Sequence, residues 1–151
     1  MADTSLYYDI LQAARIQILG VSPSNVSPSQ VVIRKRLAFW KDHDSLPFIC
    51  LMPGAERIAE EQFNNNCFVD YPVTVALVTA SNFLLEDIAW QLARRQEIRR
   101  RLHKALLVGA DTVFDCTGYD PDPPFDTSGL DVAFDVSAMR FTFRSSEQRE
   151  E

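Results

Sequence analysis

The sequence predicts an α+β fold: a mixed or mainly antiparallel β-sheet packed against an N-terminal helix and one long central helix. Three observations lead there. Apolar residues recur at helical spacing near the start of the chain and again between positions 82 and 108. Two long segments, around 67–80 and 130–143, alternate apolar and polar residues as half-buried strands do. Clusters of Pro, Ser, Asn and Gly separate these periodic segments and supply turns. The 151 residues are read as a single domain, 1–151, with a short charged C-terminal tail from about 145. A chain of this length buries roughly 70% of the surface its unfolded form exposes, so it needs no disulfide or structural metal.

The first helix is expected over 4–19, capped by Asp3 or Thr4. Leu6, Ile10, Leu11, Ala14 and Ile18 form its apolar stripe, and Gly20 is its expected stop. A polar connection, VSPSNVSPSQ, follows. Val31 to Leu37 reads as a strand, with Arg34 and Arg36 on its outer side. Phe48 to Met52 is a short apolar strand ended by a Pro53-Gly54 turn. Residues 56–64 fit either a strand or a helical turn. Cys67 to Ala80 is the strongest strand, with Cys67, Val69, Tyr71, Val73, Val75 and Leu77 on one face. Pro72 cannot donate to a ladder, so it marks an edge, a bulge or a gap in pairing.

Asn82 is the expected cap of the long helix, which is predicted to run to about Val108 with Gly109 just beyond. Its stripes are Leu85, Ile88 and Leu92, then Ile98, Leu102, Ala105 and Leu106, interrupted at Arg94-Arg95. The Pro-rich stretch 117–129 is expected to be irregular. In the closing strand the apolar positions are even from Leu130 to Val136 and odd from Met139 to Phe143. A β-bulge near Ser137-Ala138 is the simplest reading, because one extra residue would keep Phe134 and Phe141 on the same core face.

The net charge of −6 argues against generic binding of DNA or membranes by the whole surface. The charge is nevertheless blocked. Arg94, Arg95, Arg99, Arg100, Arg101 and Lys104 face only Glu97 in the same stretch. Seven aspartates then lie between Asp111 and Asp135 without a Lys or Arg, including Asp120, Asp122 and Asp126. The basic block has three readings: a solvated helix face, a dock for an acidic protein surface, or a nucleic-acid contact. It lacks the interleaved aromatics that single-strand binding uses.

Motifs for chemistry are missing from the sequence. There is no GxSxG elbow and no Gly-rich phosphate loop. His43 and His103 have no partner at metal-ligand spacing. The three aspartates of the acidic loop have oxygens suited to a hard cation, but the EF-hand pattern is absent and two prolines follow Asp122. Cys50, Cys67 and Cys116 are odd in number, widely spaced and set among apolar residues, which predicts reduced, mostly buried thiols. The opening residues lack a basic stretch and an apolar run, so no signal peptide is expected, and no apolar run is long enough for a membrane span. The expectation is a structural protein with no catalytic residue, cofactor or metal.

The order of elements resembles the tail-terminator (tail-completion) proteins of long-tailed bacteriophages and related tail-like particles. The segments that carry the resemblance are the N-terminal helix, LPFICLMP at 46–53 with Glu56 just after, and YPVTVALV at 71–78. They continue with the helix ending EIRRRL at 97–102, the irregular acidic loop, and the closing MRFTF at 139–143. The resemblance implies helices against a mixed or antiparallel sheet. It also implies a homo-hexameric ring on the last ring of the tail tube protein, which ends tube growth and meets the head-side connector or neck protein. It implies a place in the virion, at the head–tail junction, with assembly in the bacterial host cytoplasm. Genome DNA would pass through the ring without being read by sequence. Other neck and head–tail joining proteins are similar in size and share this fold, which makes them the nearest alternative. From other classes, a small ligand-binding or enzymatic α/β domain predicts a deep pocket with convergent polar groups. A nucleic-acid adaptor predicts steep salt dependence.

Overall fold

The computed structural model describes residues 5–21, 26–37, 46–61, 66–80, 85–103, 106–108, 113–125 and 134–148. Helix α1 spans Leu6–Val21, and its apolar stripe buries Ile10, Leu11, Ala14 and Ile18. The expected caps Asp3 and Thr4 lie outside the described residues; Ser5 Oγ accepts the Tyr8 N–H at 3.0 Å. Gly20 does not stop the helix, which continues to Val21. Instead it admits a neighbour, since a Cβ there would sit 3.3 Å from Arg101 Nη2.

The strands are β1 (Val31–Ile33), β2 (Phe48–Pro53), β3 (Arg57–Glu61), β4 (Asn66–Ala80), β5 (Leu106–Val108), β6 (Val113–Pro121) and β7 (Phe134–Gln148). They form one seven-stranded sheet in the order β1-β2-β4-β7-β6-β5, with β3 also paired to β4. Among the described residues the β1–β2 pairing alone is parallel, so the sheet is mixed and mainly antiparallel, and with both helices present the fold is α+β as the sequence predicts.

β4 and β7 are the sheet's spine, paired from Asn66↔Gln148 to Ala80↔Phe134 without a break. On the other edge of β4, β2 ends opposite Val73 and β3 begins opposite Asp70. Pro72 sits at the gap between them. A strand residue's N and C=O face the same edge, so its missing donor points at that gap. The Gly54 N–H bonds the Pro72 carbonyl there at 3.2 Å. A Cβ on Gly54 would come 3.0 Å from Pro72 Cγ, tighter than an ordinary contact, so glycine suits this close approach.

Several expectations need correction. The central helix α2 spans Leu85–Leu102 and does not reach Val108. Leu106–Val108 form β5 instead, drawn into a ladder with β6. Residues 117–121, expected to be irregular, belong to β6; the register shift between Cys116 and Gly118 lets this strand stay paired with β7 despite its turn-like composition. The charged tail expected from 145 is strand as far as Gln148, because Asn66–Val69 of β4 pair with Ser145–Gln148 and Ser145 is buried. Residues 56–64 resolve into the strand β3 over the described part.

The bulge near Ser137-Ala138 is also absent. Leu77↔Ser137 and Ala76↔Ala138 are ordinary partners. The change of phase has another cause: both faces of the sheet are covered, each over a different length. The odd face holds the main core, with Val73, Val75, Leu77, Met139, Phe141 and Phe143 under α1 and the end of α2. The even face holds a second cluster of Phe48, Cys50, Ala76, Val78 and Val136, with Phe134 packed against it. Phe134 and Phe141 are therefore on opposite faces, each against its own core. Cys50, Cys67 and Cys116 are buried thiols that form no disulfide.

Candidate interaction surface

The long helix is laid on the sheet in two different ways. In its second half, Ile98 and Leu102 are fully buried in the main core. In its first half the polarity is inverted. Gln91 is buried and faces the sheet, where Thr79 Oγ1 donates to its Oε1 at 3.0 Å. Arg95, one turn later, also turns inward: its Nη1 donates to Ser137 Oγ at 2.7 Å. The leucines of this half point out instead. Leu85 is 80% exposed and Leu92 is 42% exposed. The inversion follows from the sheet, which offers the polar Thr79 and Ser137 beneath these turns. The interruption of the stripe at Arg94-Arg95 marks this change of seat.

Arg95 also ties down the start of the acidic loop. Its Nη2 donates to the backbone carbonyl of Asp122, and the Asp122 N–H bonds the Ala138 carbonyl at 3.0 Å. From this root the chain continues through Pro123 and Pro124, which have no N–H for a ladder. It ends, within the described residues, at Phe125, which is 40% exposed. Asp120 and Asp122 are exposed beside it. Asp120 lies 3.5 Å from Arg140, both largely in solvent, so this pair contributes little to stability.

The other sequence-predicted site residues are spread along α2. Arg94 is engaged within the helix: it bonds Glu97 at 2.8 Å and lies over the Trp90 ring at 5.7 Å. Arg99 is half-buried, whereas Arg100 and Arg101 are exposed in the last turn. The structure thus brings Arg95 and Asp122 together within one chain, leaves Arg99 half-buried, and leaves Arg100, Arg101, Asp120 and the Asp122 side chain facing solvent. Asp126, His43 and Asn82 lie outside the described residues. His103 occupies the turn after α2, with its ring 5.3 Å from that of Tyr119. Among the described residues, no group of three or more His, Cys, Asp or Glu is placed to hold a metal ion. Among the described residues, no helix is long and apolar enough to cross a membrane.

One polar cluster was not legible in the sequence. Tyr7 of α1 reaches the gap at Pro72, where its hydroxyl accepts the Gly54 N–H at 2.7 Å and donates to the Pro72 carbonyl. Its ring meets Tyr71 edge-on at 4.9 Å, and the Tyr71 hydroxyl donates to Glu147. Burial pushes both phenols above their ordinary range, and for Tyr71 the bond to Glu147 adds to the effect. This cluster pins α1 and the end of β7 to the sheet. Nothing in it resembles a reaction centre, because each hydroxyl already serves a structural partner.

No protein-family model and no curated protein matches the chain. Among solved structures it is similar to a chain of the "Virion of native gene transfer agent (GTA) particle", with 13% sequence identity and a TM-score of 0.50. The match covers 95% of this chain and 95% of that one. At this identity the likeness is one of fold.

Proposed function

We propose that the protein is a structural component of a phage-like virion that acts by assembly rather than catalysis. Within the particle, we place it in a homo-hexameric ring at the head-proximal end of the tail tube. There it stops tube polymerisation and presents the surface that meets the head-side connector. The observation that carries this reading is the end-to-end correspondence of fold with a virion chain, 95% of each, in a sequence ordered like the tail terminators.

The surface chemistry suits the role. A ring is built from heterologous contacts, in which one patch meets a different patch on the next copy. Arg99, Arg100 and Arg101 at the end of α2 and Asp120 and Asp122 at the loop are separate patches of opposite sign. Such complementarity sets register and partner choice more than raw affinity. Arg95 falls outside this contact, because its guanidinium is bonded inside its own chain. The ring's partners are further copies of itself, the tube protein and the neck.

Electron microscopy tests the reading. Labelled protein should appear as a ring of 17.1-kDa subunits at the head end of the tube, and its deletion should give tubes of uncontrolled length. Label at another level of the neck would move the protein to a different head–tail joining role. Label absent from particles would overturn the virion reading altogether.

A further inference from the structure

The outward leucines of α2 and the exposed Phe125 have no function in the fold that displays them. In a helix, every seventh residue returns to within about 20° of the same direction. Leu85, Leu92 and Arg99 therefore share one line, with Ala89 and Gln96 beside it. The exposed face of α2 is thus an apolar strip that runs into a basic end. The loop after β6 has the complementary composition: exposed Asp120 and Asp122, then the prolines, then Phe125. We propose that the strip on α2 is the seat for the 121–125 arm of a second copy of this chain, with Phe125 on Leu92 and Ala89 and the Asp122 carboxylate toward Arg99 and Arg100. This rests on the assembly reading above and specifies its contact.

Leu92 and Arg99 are about 10 Å apart along a helix rising 1.5 Å per residue. The arm is stiffened by its prolines and bends at Pro124 and Phe125; straightened on docking, Asp122 and Phe125 would span about 9 Å. The arm does not cover the strip of its own chain, since Phe125 and Leu92 are both exposed although Arg95 holds the arm's root against the same helix. The bond from Arg95 and the prolines also fix the arm beforehand, which lowers the entropy lost on docking. A buried aromatic anchor flanked by charges is the usual composition of an energetic centre in an interface.

The test uses two full-length variants, Leu92→Cys and Phe125→Cys, prepared separately and mixed under mild oxidation. The three native cysteines are buried and serve as internal controls. The expected result is a 92–125 disulfide between copies in the mixture. In parallel, light scattering should show that Leu92→Glu raises the concentration needed for association by about tenfold or more, with an unchanged circular dichroism spectrum. Asp122→Arg and Arg99→Glu should each weaken association, and the two together should restore it. Rings that form normally while the mixture gives no 92–125 crosslink would overturn this contact and leave the ring reading standing. A crosslinked species that closes as a dimer would keep the contact and remove the ring. A chain that stays monomeric and uncrosslinked at all concentrations would overturn both.

Discussion

In the second half of α2, Ile98 and Leu102 are completely buried, whereas in the first half Leu85 and Leu92 face outward and Gln91 faces in. The two halves belong to one continuous helix, so helix propensity does not distinguish them. The surface beneath does. Under Ile98 and Leu102 lies the odd-face core of Phe141 and Phe143. Under Gln91 and Arg95 lie Thr79 and Ser137. A residue's destination is thus decided by what the sheet offers, and an apolar side chain with no core to join stays at the surface. Natural sequences break the inside–outside rule mainly where function requires it. The first half also carries buried donors, Trp90 Nε1 and Gln91 Nε2, with no hydrogen-bond partner among the described residues.

The comparison can be broken most directly by truncation. Leu102→Ala should cost about 2–5 kcal/mol of stability, since it opens a cavity in the core. Leu92→Ala should stay within about 0.5 kcal/mol, as changes outside packed sites do. Urea denaturation of both variants at monomeric concentration checks this. Equal losses would mean that the two halves are packed alike.

A smaller effect is expected at Arg95. Arg95→Met should cost about 1–3 kcal/mol, because Ser137 and the carbonyls of Asp122 and Ala138 lose a half-buried donor. Ser137→Ala should lose part of the same energy, and the double variant should be clearly non-additive. Additive effects would return Arg95 to the solvent-facing patch.

The anchoring of α1 sharpens the comparison from the other helix. Tyr7→Phe should cost on the order of 1 kcal/mol, as the hydroxyl that bridges the gap at Pro72 is removed. The tyrosines also predict the alkaline limb of stability. Their phenol pKa values are raised in the fold, so the folded state keeps protons that the unfolded chain releases. Their contribution is complete below about pH 10, the ordinary phenol value, and is lost as pH rises above it. Tyr71→Phe should make that decline shallower in denaturation curves taken between neutral and strongly alkaline pH. The smallest effect belongs to Arg100→Ala, which should leave the melting temperature unchanged and only modestly weaken association, more so at low salt.

Much of this architecture was legible in the sequence. The stripe Ile10, Leu11, Ala14 and Ile18 predicts α1, and the alternation from Cys67 to Leu77 predicts β4 with the correct face inward. What failed was decided by partners distant in the chain. Ala105 and Leu106 continue the helical spacing of Ile98 and Leu102, but Leu106 finds a ladder with Asp115. Thr117 to Pro121 look like loop because Gly, Asp and Pro dominate; pairing with Met139–Thr142 makes them strand. The flip of phase in β7 was a true signal with the wrong cause assigned, two covered faces and not a bulge. Of the candidate site, the basic and acidic blocks were visible, but the inward turn of Arg95 was not. A signal was present: Asp135 and Ser137 on β7 and Thr79 on β4 are polar at positions of core parity, and they match the polar pair Gln91 and Arg95 one helical turn apart.

The central claim is that the first half of α2 is built for contact with another chain. A cryo-electron microscopy map of the assembled particle, resolved to side chains, tests it most directly. The account predicts that Leu92 is covered by a neighbouring copy's residues 121–125 in a ring at the head end of the tube. Assembled copies in which Leu92 remains in solvent would contradict it.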